Sequence, residues 1–114
     1  MAVTSTRTIN ITMTGDVVSQ VAPAAASNAT APGKIDIVTL ASGANTITPP
    51  TGAVGCTVLP PSGNTTSIIF KGVTGDTGLR MHNTDPFSIT LNAASDTFVL
   101  TAGAQITSVR FYWT

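Results

Sequence analysis

Apolar residues along this chain fall on alternate positions in short runs, and the runs end at proline, glycine or aspartate. In "VTSTRTINITM" (3–13), Val3, Ile9, Ile11 and Met13 share one parity while Thr and Asn fill the other, the pattern of a half-buried strand. "TGD" (14–16) turns the chain, and "VVSQV" (17–21) is a short second strand. The next segment, "APAAASNATAPG" (22–33), is small, polar and punctuated by proline. It has nothing to bury and reads as a connector or extended arm.

From residue 34 onward the rhythm is regular. Strands are predicted at 34–41, 45–50, 53–60, 65–72, 78–82, 87–92, 96–101 and 105–114. Pro49-Pro50 and Pro60-Pro61 end two of them, because proline has no amide for a ladder. "NTDP" (83–86) is a turn, and "FSITLN" sets Phe87, Ile89 and Leu91 against Ser88, Thr90 and Asn92. In the last strand Val109, Phe111 and Trp113 face one way and Arg110 and Tyr112 the other. Ile106 has the wrong parity for that face, which predicts a bulge or bend near Ser108. Short strands at this spacing predict an all-β, antiparallel sandwich or barrel. The division is an N-terminal β arm and connector (1–33) and a β body (34–114).

Composition agrees. Threonine is abundant, glutamate is absent, and there is no long run of strong helix formers. Charged residues are 9% of the chain, and five basic residues balance five aspartates to zero net charge. A neutral surface argues against nucleic acid as a partner. It suits a protein whose surface is covered in an assembly. The single Cys56, within "AVGCTVLP", reads as a buried strand residue. The start lacks the pattern of a signal peptide, and no apolar run is long enough for a membrane-spanning helix. The expectation is a soluble protein made in a reducing cytoplasm, with no membrane partner.

Candidate chemistry is thin. Asp16, Asp36, Asp76, Asp85 and Asp96 are scattered, and one Cys with one His makes no zinc pattern, so no metal or other cofactor is expected. A Ser–His–Asp set can be drawn from Ser88, His82 and Asp85, but the spacing gives no support for it. "KGVTGDTGLRMH" (71–82) is the densest cluster of polar and glycine residues. A phosphate-binding loop needs its lysine after the glycines and then a helix. Here Lys71 comes first and a strand follows, so the segment reads as a turn organised by Asp76.

The run "TSIIFKGVTGDTGLRMHNTDPFSITL", followed by "TFVLTAGAQITSVRFYWT", resembles small virion proteins of tailed bacteriophages. The likeness covers about residues 34–114. It implies a non-enzymatic structural component with a jelly-roll or β-tulip-like sandwich, located in the virion and often trimeric. The expected function is that of a capsid decoration (cement) protein. Its partners would be the major capsid protein or another virion protein, and further copies of itself. Partner contacts are expected from the arm (Ile9, Ile11, Met13), the loop (Asp76, Arg80) and Tyr112. The alternative is a tail-fibre or host-attachment module that binds surface glycan through Arg80, His82, Asn83, Asp85 and Tyr112.

Overall fold

The computed structural model describes residues 3–8, 25–92 and 96–114. Ten strands run in chain order: β1 (Val3–Thr8), β2 (Ala25–Ala31), β3 (Lys34–Leu40), β4 (Gly43–Ile47), β5 (Gly55–Leu59), β6 (Ile68–Lys71), β7 (Leu79–Arg80), β8 (Phe87–Thr90), β9 (Phe98–Ala102) and β10 (Ile106–Trp113). The eight strands predicted for the body are all present. No helix occurs among the described residues.

The body is an antiparallel sandwich of two four-stranded sheets, ordered β3-β10-β5-β8 and β4-β9-β6-β7. The topology follows from one long hairpin. The first body strand pairs with the last (β3 with β10), and the pairing continues inward through β4 with β9, β5 with β8 and β6 with β7. Rolling that hairpin brings β10 beside β5 and β9 beside β6, which closes the two sheets. This strand order is that of a jelly roll.

Both sheets contribute to the core, whose buried residues run from Leu40 to Trp113. Val109, Phe111 and Trp113 are buried as their parity predicts, and Phe87, Ile89 and Leu91 pack partly buried beside them. A chain of aromatic contacts crosses the sandwich. Phe70 lies 5.3 Å from Phe87 and 5.5 Å from Phe98, and Phe98 lies 6.5 Å from Trp113, centroid to centroid. Trp113 in turn stacks on Phe111 at 5.9 Å. Tilted and offset rings at these separations gain energy beyond their area burial. Cys56 is fully buried on β5 and forms no disulfide.

The bulge in β10 is present. The β10–β3 register shifts between Ile106 and Val109, and Ser108 takes a positive φ of 61°. In an unbroken strand Ile106 and Val109 would point to opposite faces; with the bulge both are buried.

The segment 22–33 differs from its expected role as an unpaired connector. Ala25–Ala31 forms β2, which pairs antiparallel with β1 in a separate two-stranded sheet. Its Ala, Ser and Asn have little strand preference of their own; the β1 partner supplies the main-chain hydrogen bonds that hold it extended. The strand predicted at 17–21 and residues 9–13 lie outside the described residues.

Candidate functional site

The loop 71–78 joins β6 to β7 and is built as a turn. The backbone N–H of Val73 donates to Asp76 Oδ2 at 3.1 Å, and the N–H of Asp76 donates back to the Val73 carbonyl at 3.1 Å. Lys71 Nζ reaches the Thr74 carbonyl at 3.4 Å. Gly78 closes the loop with a φ of 80°, and a Cβ there would meet the Phe70 carbonyl oxygen at 2.6 Å. Only glycine fits both that backbone region and that contact. The Asp76 carboxylate and the Lys71 ammonium are thus both engaged by the loop's own backbone.

His82 has a similar local role. Its Nδ1 accepts from the backbone N–H groups of Thr84 (3.2 Å) and Asp85 (3.0 Å). A Ser–His–Asp relay requires the opposite polarity, with Nδ1–H donating to the carboxylate. Asp85 Oδ1 lies 3.6 Å from that same nitrogen, which the two backbone N–H groups already occupy. Ser88 is bonded to Thr57 Oγ1 across the β5–β8 ladder at 3.0 Å. The three residues therefore serve a turn and a sheet face. No cluster of three or more metal-ligating side chains occurs among the described residues.

Of the expected contact residues, Asp76 and Arg80 are exposed, on the loop and on β7. Tyr112 is half-buried on the outer face of β10 and Trp113 is buried on the inner face, as their opposite parity requires. Ile9, Ile11 and Met13 lie outside the described residues. The structure brings Arg80 to the β7 edge of one sheet and Tyr112 to the middle of the other, so those two do not form one surface.

Two surface features stand out. An open cleft of about 550 Å³ lies beside the β10 bulge, with Pro60 and Pro61 on one side and Asp85, Ser108 and Arg110 among its polar lining. It offers one cation, Arg110, and one carboxylate, Asp85, to a polar group.

The second feature is the outer face of β3. Ile35 is 60% exposed and Ile37 66% exposed, while Val38 and Leu40 turn inward. Asp36 also lies on the inward parity, where its Oδ2 accepts from Trp113 Nε1–H at 2.9 Å and its Oδ1 lies 3.5 Å from Lys34 Nζ. Register places Ile35 beside Tyr112 and Ile37 beside Arg110. Sequence reasoning picked out Tyr112 but neither isoleucine. Their only signal was alternation in "KIDIVTL", which does not say which face is inside.

Comparison with protein-family models, with curated proteins and with solved structures found no match.

Proposed function

We infer that this chain is a non-enzymatic structural protein of a bacteriophage virion, a capsid decoration protein that braces neighbouring coat subunits. The observation that carries the reading is the division of the molecule. A closed jelly-roll body holds the core, while β1 and β2 pair with each other in a sheet of their own. A β hairpin apart from the body's sheets is suited to engaging a neighbour, because strand addition gains main-chain hydrogen bonds without needing charge. The nearly neutral composition and the likeness in the Lys71–His82 loop and the C-terminal strand point to the same setting. The carboxylates and the imidazole with described contacts serve turns and strand staples. The rival reading is a glycan-binding tail module, because jelly rolls also carry lectin sites.

The test is binding to undecorated capsids. Full-length chain is expected to decorate them at high copy number. A variant lacking residues 1–33 should fold, by its Trp113 fluorescence and melting curve, yet fail to bind. Full occupancy by the truncated chain would refute the hairpin's role. A few copies per particle, confined to the tail, would favour the tail module instead.

A further inference from the structure

The sandwich has four edge strands, and three of them are poor templates for another strand. β7 has two residues, one of them Arg80. β8 has four, follows Pro86 and turns Ser88 and Thr90 outward. β4 has five, opens on Gly43 at a φ of 95°, runs into Pro49-Pro50 and turns only Ala44 and Thr46 outward. Short length, proline and polar side chains are the usual means of closing an edge. β3 is the longest of the four: it runs seven residues without proline and, beside Lys34 and Thr39, turns two large apolar residues, Ile35 and Ile37, outward.

The ladder fixes which backbone groups of β3 are free. The N–H of Thr114 donates to the Gly55 carbonyl and the N–H of Gly55 to the Thr114 carbonyl, at 3.0 and 2.9 Å. In an antiparallel sheet such exchange alternates along a strand. Tyr112 and Arg110 therefore bond toward β5, while Trp113, Phe111 and Val109 bond toward β3. Their partners there are Lys34, Asp36 and Val38. The N–H and C=O groups of Ile35, Ile37 and Thr39 consequently point to the open edge, and the side chains of the same three residues are exposed.

That arrangement is self-complementary. We propose that β3 is a dimerisation edge, pairing antiparallel with β3 of a second copy about a two-fold axis at Ile37 and joining two four-stranded sheets into one of eight. In this register Ile37 opposes the partner's Ile37 and Ile35 opposes the partner's Thr39. These are hydrogen-bonded pairs, giving about six main-chain bonds across the axis. Asp36 falls opposite the partner's Val38. A register two residues toward Lys34 would set two Asp36 carboxylates face to face, which is unfavourable. A two-fold contact closes on itself and uses up both β3 edges, so the pairing does not propagate through β3; the edges that remain are the short β4, β7 and β8. The inference stands on the β3 edge alone and not on a place in a virion.

The experiment is sedimentation of the full chain over a range of concentrations, with three variants. The wild type should show a monomer–dimer equilibrium. Ile37→Lys places two like charges at the axis and removes the Ile37–Ile37 cross-strand contact, so it should weaken the dimer by about tenfold or more with its melting curve retained. Ile37→Cys should form a covalent dimer on mild oxidation, because opposed residues of a hydrogen-bonded pair sit about 5.5 Å apart at Cα, within disulfide reach. Ile35→Cys alone should not, since its opposite is the partner's Thr39; buried Cys56 does not compete. A chain that stays monomeric overturns the proposal. So does a trimer in which Ile37→Cys stays unlinked, or a dimer indifferent to Ile37→Lys. None of these outcomes depends on capsid binding, and a monomer that decorates capsids would overturn this inference while leaving the functional reading intact.

Discussion

Gly78→Ala is the sharpest perturbation of the loop that the sequence singles out. Two costs combine. The residue has a φ of 80°, and an L side chain in the left-handed region costs about 1–2 kcal/mol. Its Cβ would also lie 2.6 Å from Ile69 Cγ2, 2.6 Å from the Phe70 carbonyl oxygen and 2.7 Å from Lys71 Cγ. The side-chain contacts can yield, but the carbonyl belongs to β6 and moves only with the strand. Forced overpacking of that kind costs about 1–3 kcal/mol. Lower entropy of the unfolded chain returns about 0.4–1 kcal/mol. The net expectation is a loss of about 2–4 kcal/mol. Gly75→Ala is the matched control: Gly75 is in the same loop, has no positive φ, and a Cβ there meets nothing within 4 Å. It should change stability by less than about 0.5 kcal/mol. Urea unfolding followed by the fluorescence of the single tryptophan, Trp113, reads both. The midpoint should fall for Gly78→Ala with its slope unchanged. Equal midpoints for the two variants would refute the claim that Gly78 is held by geometry and not by chance.

Ser108→Gly should stabilise the chain by up to about 1 kcal/mol, since glycine accepts the bulge's positive φ of 61° without strain; the melting temperature measures it. Trp113→Phe removes the indole N–H that donates to Asp36, at a cost of about 1.5–3 kcal/mol before any loss of packing. Asp36→Asn keeps an acceptor oxygen and should cost less than Trp113→Phe in the same denaturant titration. Lys34→Ala, which removes only a solvent-exposed partner of Asp36, should stay within about 0.5 kcal/mol of wild type.

Much of the body was legible because its signals were local. Prolines and turn residues bounded every body strand, and the parity clash between Ile106 and Val109 announced the bulge before any pairing was known. The turn role of Asp76 was legible for the same reason, since its hydrogen bonds span three residues. β2 was hidden because Ala-Ser-Asn-Ala-Thr carries no strand signal and becomes extended by pairing with β1, information that lies more than fifteen residues away. The relay drawn from Ser88, His82 and Asp85 fails on proton direction, which composition and spacing do not encode.

The isoleucines of β3 mark the boundary of what alternation can say. "KIDIVTL" offers two faces: Ile35, Ile37 and Thr39, or Asp36, Val38 and Leu40. Hydrophobicity alone would turn the two isoleucines inward. The tertiary pairing decides otherwise. Leu40 and Val38 join the core beside Ile106 and Val109, and strand alternation then carries Asp36 inward with them. A lone carboxylate there would be costly, but the indole N–H of Trp113 meets it at 2.9 Å, and Lys34 lies 3.5 Å away on the solvent side. The same geometry exposes Ile35 and Ile37 on β3, the longest of the four edge strands. An exposed apolar edge is a hazard unless something covers it, so the Asp36–Trp113 bond and the β3 edge are two consequences of one strand's orientation. If Asp36 and Trp113 were jointly replaced by an apolar pair, the face of β3 would no longer be constrained by that bond. The dimer's Ile37→Cys crosslink then measures whether Leu40 and Val38 alone still hold the isoleucines outward.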